Sequence, residues 1–204
     1  MGTLNKLTEL FGRFPGIGPR QAKRFVYFLL ATPAGFREEL ARLLLELKSI
    51  VSQCAECYRF FSPYKAEKVC ALCADSNRDH STLMIVEKDV DLENVERSRA
   101  WGGTYFVLGG TLPILEKKPA ERIRVAELQK RLEARAKKGF QELVLALSLT
   151  TEGEHTAAYL MENLEPLAQK YNFKITMLGR GLSTGIELEY SDSETIKNAL
   201  KNRQ

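Results

Sequence analysis

Little in this chain of 204 residues points toward a membrane or a secretory route. No apolar run approaches the roughly 20 residues that span a bilayer. The segment from Met1 to Phe14 lacks an apolar stretch followed by a small-residue cleavage site. The cytoplasm is therefore the expected address. Repeats and low-complexity tracts are also absent, which argues against a solenoid or a disordered linker. Histidine is scarce, at two residues. His155 reads as a helix-start residue and His80 as a bystander near the cysteines. Neither Ser148 nor Ser183 has a positioned histidine and carboxylate, so a serine nucleophile has no support.

Cysteine is limited to four residues, and they stand as two C-x2-C pairs twelve residues apart: Cys54 and Cys57, then Cys70 and Cys73. Two such pairs, each on a tight turn, close a tetrahedral zinc site. Two disulfides would require an oxidising compartment, and a redox pair would need only one C-x-x-C. With sulfur at all four positions no place remains for a reactive water, so the expected Zn²⁺ is structural.

The chain is long enough for one large domain or two modest ones. Its 44% hydrophobic and 27% charged residues are ordinary for a globular protein. The net charge of +4 permits a nucleic-acid partner without demanding one. Its distribution is uneven. Lys6, Arg13, Arg20, Lys23 and Arg24 face a single acid, Glu9, near the amino end. A second basic stretch, Arg131, Arg135, Lys137 and Lys138, reads as a solvated helix face.

Helical spacing of Leu4, Leu7, Leu10 and Phe11, then of Ala22, Phe25, Val26, Leu29 and Leu30, gives two helices. Phe14-Pro15-Gly16-Ile17-Gly18-Pro19 interrupts them. A third helix carries an apolar stripe from Phe36 to Val51. The cysteine segment follows, with Phe60, Phe61, Pro63 and Tyr64 as a candidate core for a small metal-held lobe. Beyond Thr82 strands and helices alternate: strand Leu83–Val86, helix Asp89–Arg99, strand Thr104–Leu108, helix Ala120–Lys137, strand Glu142–Ser148, helix Glu154–Tyr171, strand Lys174–Leu178. This pattern predicts a parallel α/β sheet with helices on both faces. Gly185–Tyr190 reads as extended, and Ser191 to Glu194 as a capping box opening a last helix.

Gly16-Ile17-Gly18 between two short helices suggests a hairpin that meets phosphate. Its glycines allow close approach, and the amides opening the second helix sit at its positive pole. Arg20 and Arg24 lie one turn apart with Lys23 beside them, so binding through them should be salt-sensitive and sequence-independent. An ordinary helical hairpin, whose glycines only form the turn, is the plain alternative. Glu87 ends the first strand of the α/β segment, and Glu152 and Glu154 follow a later one. In a parallel sheet these loops share one edge, where three acids could hold Mg²⁺. Equally, Glu152 and Glu154 suit the start of the following helix on electrostatic grounds alone.

Taken in order, these parts resemble the bacterial RecR family of recombination mediators. Phe14 to Arg20 is similar to that family's helix-hairpin-helix signature, and the four-cysteine module with Asn77-Arg78-Asp79 comes next. Glu87 ends a Toprim-like first strand. Thr104-Tyr105-Phe106-Val107-Leu108-Gly109-Gly110, Thr151 to Tyr159, and Gly179-Arg180-Gly181-Leu182 with Leu188-Glu189-Tyr190-Ser191-Asp192 each resemble a family stretch. The departures are a longer gap between cysteine pairs, with an enlarged loop around Ser62 to Lys68, and Ser183, Phe106 and Leu112-Pro113 at varied positions.

The resemblance implies a multidomain α and β chain. Residues 1–53 would form the DNA-binding helical region, 54–79 the four-cysteine zinc module, 80–178 a Toprim α/β domain, and 179–204 a strand-helix segment. It further implies a DNA-binding protein of recombinational repair that acts with RecO and RecF to help load RecA onto single-stranded DNA. A ring-shaped homotetramer able to encircle duplex DNA is implied as well. Carried over, Arg20 and Arg24 fall on the hairpin cations, the four cysteines on the zinc ligands, and Glu87, Glu152 and Glu154 on Toprim acids that serve DNA, partner or Mg²⁺ binding without cleavage. A metal-dependent Toprim nuclease is the alternative that these acids leave standing.

Overall fold

The computed structural model describes residues 2–179, 181–182, 185 and 187–202, apart from the side chain of Glu194. The chain divides into two compact units, Met1–Val51 and Ser52–Gln204.

The first unit is three helices: α1 (Thr3–Phe11), α2 (Pro19–Ala31) and α3 (Ala34–Ile50). The break between α1 and α2 follows from Gly16, whose φ of +75° lies in the left-handed region that a side chain disfavours. Pro19 occupies the first position of α2, where its missing N–H costs nothing. Only Ala22 and Val26 are buried in this unit's helices. The apolar stripe of α3 exists in sequence but is not covered: no residue of α3 is buried, and Leu45 is 86% exposed.

The second unit opens with a short hairpin, β1 (Ser52–Gln53) against β2 (Phe60–Phe61), and a single helical turn, α4 (Ala71–Ala74). Four parallel strands follow: β3 (Asp79–Val86), β4 (Gly103–Val107), β5 (Glu142–Ala146) and β6 (Lys174–Met177), in the order β4-β3-β5-β6. Their side chains alternate between two cores, as a pleat requires. Leu83, Ile85, Phe106, Leu143 and Leu145 point to one face. There they meet Leu128 and Leu132 of α7 (Val125–Ala136) and Leu160 and Leu164 of α8 (Thr151–Tyr171). Met84, Val86, Tyr105, Val107 and Val144 point to the other, against Leu92 and Val95 of α5 (Asp89–Ser98). Each fully buried leucine of these cores contributes about 1.5–3 kcal/mol.

Four local expectations change. The helix expected from Ala120 to Lys137 is broken into α6 (Pro119–Arg122) and α7, because Ile123 turns into the core and the Arg124 N–H bonds to the Leu108 carbonyl at 3.0 Å. The segment from Leu188 to Tyr190 is a 3₁₀ turn, not extended chain. The last helix, α9 (Ser193–Lys201), is capped by Asp192, whose Oδ1 accepts from the Thr195 N–H at 2.9 Å, and not by Ser191. Finally, Phe60 and Tyr64 are 56% and 88% exposed, so they are not the lobe's core. That core is Cys54, Cys57 and Cys70 themselves, packed with Phe61, Val69 and Leu72. Arg180, part of the Gly179–Leu182 stretch of the resemblance, and Ser183, one of its departures, lie outside the described residues, as do Thr184 and Ile186.

Edge strand β4 is buried along its whole length. The cysteine lobe and α7 cover it: the Val107 N–H donates to the Cys57 carbonyl at 2.8 Å, and Arg131 of α7 donates to the Tyr105 carbonyl at 2.8 Å.

Candidate metal centre and nucleic-acid interface

Two knuckles build the cysteine cluster. The Tyr58 N–H donates to the Cys54 carbonyl at 3.0 Å, and Tyr58 takes a left-handed φ of +62° to leave that turn. In the second knuckle the Cys73 N–H donates to the Cys70 carbonyl at 3.0 Å. The Cys70 N–H also donates to the Cys54 sulfur at 3.3 Å, an amide-to-sulfur bond of the kind that steadies a thiolate.

All four Sγ atoms lie within 4.8 Å of one another, three of the residues being buried. Cys57 Sγ and Cys70 Sγ are 3.6 Å apart. That is far beyond the ~2.05 Å of a disulfide. It fits the edge of a sulfur tetrahedron around an ion with metal–sulfur bonds of about 2.3 Å. The thiols are free and share protons: hydrogen bonds from Cys57, then Cys70 and Cys73, hold Cys54 well below an ordinary thiol. The donor set, the spacing and the burial fit a metal ion closed off from solvent.

The amino-terminal turn has a different character. Gly18 precedes α2 with φ −79° and ψ 169°, and no side chain caps the helix. Its conformation would suit any residue, and a Cβ there would meet nothing within 4 Å. Nothing among the described residues therefore requires glycine at 18, whereas Gly16 is required by its φ. Ile17 is half-buried and lines an apolar groove with Phe11, Phe14 and Phe25. Arg20, Lys23 and Arg24 are all exposed on α2; Arg24 leans on Gln21 at 3.2 Å, and Lys23 lies over the Tyr27 ring at 6.0 Å.

At the carboxyl edge of the sheet, β3 lies between β4 and β5, so the chain reverses its order of strand addition there. Such a switch point is where open α/β sheets bind ligands. Glu87 follows β3, is buried, and accepts from the Ser148 N–H at 2.6 Å. The first turn of α8 is capped by Thr150, whose hydroxyl accepts from the Gly153 N–H at 3.1 Å. Glu152 is exposed and accepts from the Thr111 hydroxyl at 3.2 Å, while buried Thr156 accepts from the Leu112 N–H at 2.8 Å. Glu154 is exposed on the same turn. The three acids thus share one edge, as expected, but do not close on each other. Among the described residues the four cysteines are the only group of three or more His, Cys, Asp or Glu with ligand atoms this close. His80 and His155 join no such group.

The basic stretch of α7 is where sequence and structure part most sharply. Arg131 is buried and Arg135 half-buried, so only Lys137 and Lys138 form the solvated face. Arg131 donates to the carbonyls of Glu56 and Tyr105, and Arg135 donates to the Thr104 hydroxyl at 2.5 Å. Helical periodicity alone offers no hint, because the lobe and the strand to which these arginines bond are remote in sequence. The sequence likewise gives no signal for the roles of Thr111 and Thr156, or for the Ser148 N–H as a partner of Glu87, although Thr156 belongs to the Thr151–Tyr159 motif.

A mixed α/β domain of Toprim type behind a helix-hairpin-helix defines a class of nucleic-acid-handling protein. A family model described as "Toprim domain" matches residues 81–179, "RecR, helix-hairpin-helix" matches 4–48, and "RecR, C-terminal" matches 181–204. The chain is 36% identical to Recombination protein RecR of Bifidobacterium longum subsp. infantis, over 100% of this chain and 96% of that one. It is 41% identical to Recombination protein RecR of Synechococcus sp. strain JA-3-3Ab, over 98% and 96%. The chain belongs to the RecR family of recombination proteins.

Proposed function

We propose that this chain is a non-enzymatic recombination mediator that grips DNA by its sugar–phosphate backbone. It acts with RecO and RecF to help load RecA onto single-stranded DNA, and it works as a ring-shaped homotetramer in the cytoplasm, moving onto the nucleoid when bound to DNA. The observation that carries this is the uncapped amino end of α2, behind Gly16, Ile17 and Gly18, with Arg20, Lys23 and Arg24 exposed around it. Amides at a helix's positive pole together with three exposed cations suit phosphate, and they offer no device for reading bases. The glycine at 18, needed by nothing among the described residues, leaves room for close approach.

Four further assignments belong to this reading. The segments 1–53, 54–79, 80–178 and 179–204 act as hairpin, metal, Toprim and terminal modules. Zinc is the ion of the four-cysteine cluster, because four thiolates select it over oxygen-seeking cations. Glu87, Glu152 and Glu154 arrange the loops of the Toprim edge for DNA or partners, with Mg²⁺ there at most an exposed, water-rich ligand. Assembly into a ring is supported by the large uncovered apolar surface of the first unit, including Phe14, Phe28, Leu44 and Leu45.

Retardation of duplex and single-stranded DNA across a salt series tests the proposal. Binding should be indifferent to sequence, and the Arg20→Ala, Arg24→Ala double variant should weaken it and flatten the log–log salt slope by about 0.9 per lost phosphate contact. An unchanged slope would refute the hairpin assignment. Mg²⁺-dependent cutting that disappears in Glu87→Ala would replace the mediator with a nuclease.

A further inference from the structure

We propose that α7 supplies the counter-charge of the metal centre. Arg131 and Arg135 neutralise the negative charge of a zinc ion held by four thiolates, so that metal loading and docking of the lobe on the sheet are one event. This rests on the zinc assignment above.

A cleft of about 780 Å³ opens between the lobe and α7, and Cys73 lines it together with both arginines. Its charged wall is unbalanced: among the described residues that line it, Lys130, Arg131, Arg135 and Lys138 face two carboxylates, Glu56 and Glu127. That excess of two positive charges matches the two net negative charges of zinc with four thiolates.

The burial of the arginines makes the match more than arithmetic. Arg131 is 8% exposed, yet its Nε and Nη2 are buried without a hydrogen bond, and its nearest carboxylate oxygen, on Glu56, is 3.5 Å away. A second guanidinium beside it would be costly in a low-dielectric setting unless an anion lies within reach. Arg135 is that second guanidinium: half-buried, it lines the same cleft as Arg131 and Cys73 and donates to the Thr104 hydroxyl. The metal–thiolate cluster is the anion that relieves both. Glu56 lies between the two cysteines of the first knuckle, so the bond from Arg131 to its carbonyl also fixes that knuckle's position.

The test uses the full-length chain with Arg135→Gln, Arg135→Lys and, as a surface control, Lys117→Gln. Zinc affinity is measured by competition with a chelator of known affinity, and melting temperature is measured for zinc-loaded and metal-free protein. Removing a group that steadies a ligand should weaken zinc binding by about 10-fold. The loss in melting temperature should be larger in the loaded form than in the metal-free form, and Arg135→Lys should restore most of the affinity. An equal or larger loss in the metal-free form, or unchanged zinc affinity, overturns the inference by reducing Arg135 to a packing role. Wild-type protein that holds no zinc overturns the zinc assignment itself, a separate and distinguishable result.

Discussion

The Glu87 carboxylate accepts a 2.6 Å hydrogen bond from the backbone N–H of Ser148, tying the end of β3 to the loop after β5. The two loops flank the switch in strand order, so the bond fixes the mouth of the sheet's carboxyl edge. Glu87→Ala leaves the Ser148 N–H without its acceptor and should cost about 1–3 kcal/mol. Glu87→Gln keeps an acceptor in place and should cost less. Urea unfolding of both variants decides the matter; equal costs would mean that the bond contributes nothing.

Gly153 is a steric requirement rather than a conformational one. A Cβ there would lie 2.1 Å from the Ser148 carbonyl oxygen and 2.5 Å from its hydroxyl. Backbone on the opposing side cannot swing away as a flexible side chain could. Gly153→Ala should therefore destabilise the second unit by about 1–3 kcal/mol or more, seen as a lower urea midpoint. A midpoint equal to wild type would show that the α8 start shifts freely.

Tyr105 gives a pH dependence. Burial, then the nearby Glu96 carboxylate, pushes its pKa well above the ordinary phenol value. A folded-state pKa raised above the unfolded one stabilises the fold fully below the unfolded value and is lost as pH rises through the folded value. Stability should thus decline as pH rises above about 10, the unfolded tyrosine value. The hydroxyl has no hydrogen-bond partner among the described residues. Tyr105→Phe should therefore leave stability at pH 7 unchanged or slightly higher, and should flatten the alkaline decline. Thermal melts between pH 8 and 12 in about unit steps would show it. Identical alkaline profiles for the two proteins would contradict the assignment.

Removing the metal should loosen the lobe first. Structural zinc is folding energy for the segment that carries its ligands. Chelation, or Cys57→Ser, should speed proteolysis and amide exchange between about Gln53 and Ala74 while α1 to α3 keep their protection. Uniform loss of protection along the whole chain would mean that the ion supports more than its lobe.

The alternation of strand and helix was legible because buried parallel strands are short, nearly continuous apolar runs, as Leu83 to Val86 shows. The cysteine cluster was legible because its ligands are local pairs whose spacing already implies a turn. What escaped was decided by neighbours distant in sequence. Arg131 looks like any surface cation until the Glu56 carbonyl, from a lobe 75 residues upstream, is seen against it. Ile123 ends a helix that its sequence would continue, because the core offers it more than another turn would. The stripe on α3 was read correctly as apolar, yet periodicity cannot say whether a partner covers it. Glu87, Glu152 and Glu154 lie at one sheet edge, but the bonds that Glu87 and Glu152 accept from the Ser148 N–H and the Thr111 hydroxyl are encoded by no spacing rule.

The lobe's grip on β4 also has a bearing on solubility. An uncovered outer strand offers unpaired amides and carbonyls to any other extended chain, which is how sheets grow from one molecule into the next. While the knuckle sits on Val107 and Arg131 reaches Tyr105, that invitation is withdrawn. A molecule stripped of its ion would then fail by sticking to its neighbours rather than by unfolding outright, and the metal would serve as a guard against aggregation as much as a staple.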